Sequence, residues 1–326
     1  MRIHIQNVPD DPHFTIGQAM FAEAAERAGE KPGDFRVTTG SSVEEFKSGI
    51  VDAEILITAS AALTGKFPAH APKLKMVFVT SAGLEKHAPY TWLPEGAMLL
   101  NNRGAHSAKV GEYTIMALMM LATRMPELIR NQHEQHWHKL HSPVLAGRRL
   151  TMVGLGGLGG AGAVQAKRFG LRVTGVRTRA EPHPGCDRVV ATADLDSVLP
   201  ETDYLMLATP LTPATRHLLD RRRLMLLPAG AGVINVGRGA LIEQDAICDL
   251  LDEGRLGGAV LDVFDPEPVP KGHRLWTTRN LIMTPHISAD DPHTYNPDSL
   301  DIFFRNLRAW RAGDPLPNLF DTSRGY

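Results

Sequence analysis

The chain has 326 residues, 43% hydrophobic and 22% charged, and its 35 Lys+Arg against 36 Asp+Glu leave a formal net charge of -1. That length holds two domains of roughly 100–200 residues each, and a near-neutral chain without a basic run argues against a nucleic-acid or anionic-membrane partner. The longest apolar stretch, 115–122, falls short of the ~20 residues a spanning helix needs, and the amino terminus lacks a secretory pattern, so a cytoplasmic protein is expected.

Short apolar runs rich in β-branched residues predict strands at 3–5, 35–38, 55–58 and 76–79. Between them, 16–27 (broken at Gly29) and 43–48 predict helices, and the alternation implies a parallel sheet. Apolar residues at helical spacing over 106–121 predict a long buried helix, followed after Pro126 by a second one reaching about Trp137. The apolar run 150–153 then leads straight into Gly154-Leu155-Gly156-Gly157-Leu158-Gly159. A new βα series opens there, with strands at 172–176, 204–207, 233–236, 259–261 and 281–283 and helices at 157–169 and 243–253. After His286 a loop and a helix at 299–311 are expected, the tail returning to the first domain. The predicted fold class is thus α/β, with two doubly wound parallel sheets. Trp92, Trp137, Trp276 and Trp310 are each expected in the core rather than in a pocket. Cys186 and Cys248, far apart and without C-x-x-C spacing, are expected reduced and partly buried, with no metal site.

The glycine motif sits between a strand and a helix, the context that gives it meaning. Gly154 permits the bend, Gly156 lets a pyrophosphate approach the backbone, and Gly159 lets the helix lie close on the strand; with Gly157 and Leu158 they open the helix N-terminus onto the phosphates. About 20 residues on, an acid would select NAD(H) by binding the ribose 2′-hydroxyl. Here the strand ends in Arg177-Thr178-Arg179, two cations and a hydroxyl suited to a 2′-phosphate. NADP(H) is therefore favoured, NAD(H) remaining possible.

Other segments sit just past strands, where open α/β sheets bind ligands. Val233-Ile234-Asn235-Val236-Gly237-Arg238-Gly239 delivers an Arg able to clamp a carboxylate. Leu261-Asp262-Val263-Phe264-Asp265-Pro266-Glu267-Pro268 fixes Glu267 between prolines. Thr284-Pro285-His286-Ile287-Ser288 supplies a His which, held against a carboxylate, stays protonated near neutral pH and can give a proton.

These segments resemble the D-2-hydroxyacid dehydrogenase family (the formate/glycerate dehydrogenase group) in both content and order. The residues from Ala208 and Thr209 through Pro210-Leu211-Thr212-Pro213-Ala214-Thr215-Arg216 are similar to the family's P-L-T-P-x-T-R, and 234–239, 262–268 and 284–286 to its I-N-x-G-R-G, D-V-F-x-x-E-P and T-P-H. The resemblance implies a Rossmann cofactor domain, 103–287, inserted into a discontinuous flavodoxin-like substrate domain, 1–102 with 288–326. It implies that Arg238 binds the substrate, His286 is the acid/base, Glu267 orients it, and Asp262 faces the nicotinamide carboxamide. Thr209, Pro210 and Val236 would join the cofactor contacts. Val79-Thr80-Ser81-Ala82-Gly83 resembles the loop whose amides receive the substrate carboxylate, giving Ser81, Ala82 and Gly83 as substrate-binding residues. The implied reaction is NADPH-dependent reduction of a small 2-oxo acid, glyoxylate- or hydroxypyruvate-like, to the D-2-hydroxy acid by a homodimer, the substrate in a cleft between domains.

Two departures stand out: Ser288-Ala289-Asp290-Asp291 replaces a usual Gly after T-P-H-x, and the loop after Gly83 lacks an expected Asp. Formate oxidation is disfavoured because the resembling formate dehydrogenases carry Gln where Glu267 stands. Phosphite oxidation would keep the same Arg, Glu and His. A nucleotide-sensing, corepressor-like binding module is the alternative from another class.

Overall fold

The computed structural model describes residues 1–11, 14–63 and 71–323. The chain forms two units, unit 1 comprising Met1–Ala105 with Asp291–Tyr326 and unit 2 comprising His106–Asp290.

Unit 1 runs β1 (Arg2–Gln6), α1 (Gln18–Arg27), β2 (Arg36–Gly40), α2 (Val43–Ile50), β3 (Ile55–Thr58), β4 (Met76–Val79) and β5 (Met98–Leu100). Its strands pair in parallel in the order β2-β1-β3-β4-β5. The central strands β3 and β4 are buried at every position, as a parallel sheet covered on both faces requires. One face packs Ile3, Ile5, Ile55 and Phe78 against Phe21 of α1 and against Phe303 and Phe304 of the C-terminal helix Tyr295–Ala312, which is α9 in chain order. Each fully buried Phe contributes about 1.5–3 kcal/mol relative to leaving it in water. The opposite face carries Phe46, Ile50, Leu56, Val77 and Phe320. Helix α2 is fixed by a capping box, Ser42 Oγ accepting from Glu45 N at 3.2 Å while Glu45 Oε2 accepts from Ser42 N at 3.0 Å.

Unit 2 runs α3 (Ser107–Ala122), α4 (Met125–His133), β6 (Arg149–Val153), α5 (Gly157–Arg168), β7 (Arg172–Arg177), β8 (Arg188–Ala191), α6 (Leu195–Val198), β9 (Tyr204–Leu207), α7 (Arg221–Leu226), β10 (Gly232–Asn235), α8 (Gln244–Asp252), β11 (Gly258–Leu261) and β12 (Leu281–Met283). The strand order is β12-β11-β10-β9-β6-β7-β8, all parallel, so the order reverses between β6 and β9. One face is covered by α3 and α5 and the other by α7 and α8. Helices α3 and α5 lie close because Gly111 of α3 faces Gln165 of α5, and Gly162 of α5 faces Thr114 of α3. An added Cβ would stand 2.9 Å from Gln165 Cγ and 2.7 Å from Thr114 Oγ1 respectively.

The structure corrects several sequence expectations. Helix α9 begins at Tyr295 rather than 299, with Pro297 in its first turn, where a missing N–H costs no helical bond. Helix α4 ends at His133, short of Trp137. Strands β5 and β8 were not expected; β5 has only three residues, and β8 is a half-buried sheet edge. Of the four tryptophans, Trp137 is 98% and Trp276 57% exposed, against expectation, while Trp92 and Trp310 are half-buried and pack against the unit 1 cores. Cys248 is buried and Cys186 half-buried, both free. Among the described residues no helix is long and apolar enough to cross a membrane.

Candidate active site

The glycine turn follows β6 at the point where the strand order reverses, the place where doubly wound sheets bind dinucleotides. Gly154 has φ +94°, and a Cβ on it would stand 2.7 Å from Ala208 O. Both facts exclude a side chain. A Cβ on Gly159 would stand 1.9 Å from Gly154 O, so only glycine lets α5 begin this close to the strand end. At Gly156 a Cβ would meet nothing within 4 Å, so open space lies beside the backbone where a pyrophosphate would approach the first turn of α5. These residues fit a dinucleotide.

The ends of three neighbouring strands, β10, β11 and β12, are laced together beyond their ladders. Asp262 N donates to Asn235 O at 3.0 Å, Thr284 N to Leu261 O at 3.0 Å, and His286 N to Asp262 O at 2.9 Å. Asn235 brackets the Arg238 turn, its Oδ1 accepting from Gly237 N at 3.0 Å and its Nδ2 donating to Arg238 O at 2.9 Å. Gly239 lets the next loop cross, since a Cβ there would stand 2.0 Å from Phe264 C. That loop carries Glu267. One carboxylate oxygen accepts from Phe264 N at 2.8 Å, and the other lies 2.8 Å from His286 Nδ1. His286 itself sits at φ +55°, a left-handed conformation that a turn must impose on a non-glycine residue.

The electrostatics follow from this geometry. The hydrogen bond to Glu267 raises the His286 pKa above the usual imidazole value; burial opposes it, Glu267's charge adds to it and Arg238 subtracts. Burial pushes the Glu267 carboxyl up, but the hydrogen bonds from His286 and Phe264 N, with the charges of His286 and Arg238, outweigh it and hold the group below the carboxylate range. Glu267 accepts at Nδ1, so that nitrogen keeps its proton and Nε2 is the atom that gains or loses one. With the His286 side chain 49% exposed, Nε2 belongs to an accessible ring. Arg238, Glu267 and His286 thus form one electrostatic group within unit 2.

Arg177 ends β7 and lies 3.5 Å from Glu181 Oε2, an acid that sequence reading passed over. Thr178 and Arg179 are exposed beside it. His183, also unforeseen, lies against the first turn of α5, with its Nε2 2.9 Å from where a Gly160 Cβ would be. Thr209 is half-buried at the end of β9 and Pro210 is exposed, the loop being tied by Thr215 Oγ1 donating to Pro210 O at 2.7 Å. Leu158 is half-buried on the α3–α5 face. Val236 and Asp262 lie deeper than the other side chains expected at the site. The Val236 side chain is 2% exposed in the core, leaving only its backbone for a ligand. Asp262 is fully buried, with its carboxylate committed to the protein. It accepts from Thr284 Oγ1 at 2.6 Å and from Ile287 N and Ser288 N at 2.9 Å each, because the following turn aims its donors at this strand end. In unit 1, Ala82 O accepts from Asn101 Nδ2 at 3.0 Å and Ser81 O from Asn102 N at 3.1 Å. The amides of Ser81, Ala82 and Gly83 make no hydrogen bond among the described residues. A cavity of about 520 Å³ in unit 2, lined by Arg124, Arg148 and Arg279 among others, opens at the amino-terminal ends of the strands, away from this group.

A family profile described as "D-isomer specific 2-hydroxyacid dehydrogenase, NAD binding domain" matches residues 115–288. The chain belongs to this family. Its members are NAD(P)-dependent dehydrogenases. The glyoxylate reductase of Thermococcus litoralis is 31% identical over 263 residues, covering 77% of this chain and 78% of that one. The D-3-phosphoglycerate dehydrogenase of Methanocaldococcus jannaschii is 30% identical over 267 residues, 80% of this chain, which spans only 50% of that enzyme. The crystal structure of a D-isomer specific 2-hydroxyacid dehydrogenase from Xanthobacter autotrophicus, in complex with NADPH and MES, is similar with a TM-score of 0.81 at 28% identity, covering 99% of both chains.

Proposed function

We propose that the protein reduces a small 2-oxo acid of the glyoxylate/hydroxypyruvate class to its D-2-hydroxy acid, using NADPH. The observation that carries this reading is the His286–Glu267 pair at 2.8 Å, beside Arg238 and on the sheet that bears the glycine turn. A bound cofactor supplies the hydride. Everything else falls to the chain's own residues.

Arg238, on its glycine-flanked turn, would hold the substrate carboxylate through charge-assisted bonds from its planar guanidinium. In unit 1, the amides of Ser81, Ala82 and Gly83, unbonded among the described residues, have the donor character of a carboxylate-receiving loop. As hydride reaches the 2-carbon, negative charge grows on the former carbonyl oxygen, and His286 Nε2 delivers a proton there. Glu267 keeps the ring in the tautomer and orientation that make Nε2 the donor. This is general-acid catalysis by a positioned imidazole, worth about 10²–10⁴ in rate. Two arginines at the end of β7 favour the 2′-phosphate of NADPH, and the Xanthobacter relative was crystallised with that cofactor. A homodimeric, cytoplasmic enzyme is part of the same reading, with unit 1 as substrate domain and unit 2 as cofactor domain.

The test is to follow NADPH absorbance with glyoxylate, hydroxypyruvate and a wider 2-oxo acid panel. His286→Ala should lower turnover on the order of 10²–10⁴-fold while NADPH binding stays intact. Tight NADPH binding with no turnover on any 2-oxo acid would favour a nucleotide sensor instead. Phosphite as the only oxidised substrate would move the reading to that chemistry.

A further inference from the structure

Helix α3 has no place in the reaction proposed above, yet it reaches the strand ends that carry it. Tyr113, on the buried face of α3 and 5% exposed, puts its Oη 2.6 Å from Thr284 Oγ1. Thr284 Oγ1 in turn donates to Asp262 Oδ1 at 2.6 Å. The hydroxyl of Thr284 has one proton, and it is spent on the carboxylate, so Tyr113 must be the donor to Thr284. The chain of bonds therefore runs one way, from Tyr113 to Thr284 to Asp262. Burial pushes the Tyr113 phenol up to about 12, so it keeps its proton across the working pH range.

Asp262 is where this chain meets the turn that carries His286. Its carboxylate also accepts from the amides of Ile287 and Ser288, and its carbonyl accepts from His286 N. His286 is thus gripped from both sides by one buried residue, and it needs that grip because its φ is +55°. We propose that Tyr113 and Thr284 are positioning residues for His286, clamping the Asp262 carboxylate so that the turn holds the imidazole against Glu267. The proposal deepens the reductase reading and rests on it for its kinetic consequence. The clamp itself is a property of the protein alone.

The mechanism is geometric. If Asp262 loses the Thr284 hydroxyl, the carboxylate is free to rotate, and its hold on the 287 and 288 amides slackens. The His286 ring then drifts from Glu267, and the bond that raises its pKa weakens. The charged and titratable groups facing His286 are Glu267, Arg238, Asp262 and Asp290, and none of them is altered by changes at positions 113 or 284.

The experiment compares Thr284→Val, Tyr113→Phe and Thr284→Ser with the wild-type chain, reading the His286 ring titration by NMR in cofactor-free protein and the pH profile of kcat with NADPH and glyoxylate. Thr284→Val should lower the His286 midpoint and reduce kcat on the order of tenfold, less than the ~10²-fold that a 1 Å misplacement can cost. KM should change far less than kcat. Tyr113→Phe should shift both readouts the same way by a smaller amount, and Thr284→Ser, which keeps the hydroxyl, should restore them. Unchanged His286 titration and kcat profile in Thr284→Val and Tyr113→Phe would overturn the proposal, even if their melting temperatures fall. Failure of the reductase reading looks different: the wild-type chain would turn over no 2-oxo acid, or His286→Ala would retain turnover, whereas the NMR titration would still report the clamp.

Discussion

His286 Nδ1 and Glu267 Oε2 lie 2.8 Å apart, and the other oxygen of that carboxylate is held by Phe264 N, so the acid partner is fixed before the imidazole meets it. An imidazole paired in this way keeps its proton to a higher pH than a free one. In the reductive direction, where His286 must give a proton, kcat should fall as pH rises through a midpoint above ~6.5; the oxidative rate should rise through the same midpoint. Glu267→Gln removes the charge and should lower that midpoint. A wild-type midpoint at or below the ordinary imidazole value would contradict the pairing.

The same pair ties folding to pH. The raised His286 value contributes stability present below its unfolded pKa of ~6.5 and lost as pH rises through its folded value. The lowered Glu267 value contributes stability present above its unfolded ~4.3 and lost as pH falls through its folded value. Chemical denaturation across pH should therefore show the difference between wild type and a Glu267→Gln, His286→Ala double variant to be greatest between those limits. A flat difference would mean that the pair is too solvated to matter.

Gly156 and Gly159 should respond differently to alanine. At Gly156 the new methyl meets no protein atom, so thermal melting of Gly156→Ala should match wild type while affinity for NADPH and NADH falls at least about tenfold, equivalent to one charge-assisted bond of ~1.5–3 kcal/mol. At Gly159 the methyl collides with Gly154 O, so melting temperature and affinity should both fall. Unimpaired binding by Gly156→Ala would show that the open space beside it is not where phosphate lies.

Arg177→Ala combined with Arg179→Ala should weaken NADPH by ten-fold or more, at ~1.5–3 kcal/mol per lost charge-assisted bond, and hardly change NADH. Glu181→Gln, which removes the negative charge 3.5 Å from Arg177, should tighten NADPH by less than about fivefold, since exposed pairs are worth ~0.2–1 kcal/mol. Equal losses for both cofactors would refute the 2′-phosphate role.

Phe304→Ala removes a fully buried ring from the unit 1 core and should cost about 3–5 kcal/mol. Because unit 2 has cores of its own, NADPH binding by this variant should persist under conditions where unit 1 melts. A single transition that abolishes both would show that the units do not unfold separately.

How much was legible depended on the physics of each signal. Strands β3, β4 and β9 could be bounded to the residue because fully buried parallel strands read as short unbroken apolar runs between breakers, and β12, though a half-buried edge, is an equally unbroken apolar run. Strand β8 escaped because its edge position leaves Arg188 exposed and its valines only half-buried. Arg238, Glu267 and His286 stood out through the company of prolines and glycines that fix their turns. Asn235 and Asp262 carried a weaker trace, as short polar side chains at strand ends that bind the next turn's backbone. Tyr113 left no trace at all: it occupies an apolar helix position, and only the fold reveals that its hydroxyl meets a threonine 171 residues later. Trp137 and Trp276 misled because hydrophobicity alone does not say whether a residue sits on a core-facing stripe; Trp137 lies beyond the end of its helix.

Unit 1 closes its core with a helix from the far end of the chain, and this has a consequence for the order of events during synthesis. By the time Asp290 has emerged, every strand of the seven-stranded sheet is available, and unit 2 can complete itself as a contiguous block. The first five strands, made before unit 2, have α1 beside them but must wait for Phe303 and Phe304 before the cover of their apolar face is complete. The nascent chain therefore carries an open hydrophobic surface through the whole translation of the cofactor-binding sequence, an interval of about 10–40 s at ~5–20 residues per second. A chaperone acting on this protein has its natural target there, on the half that is made first and finished last.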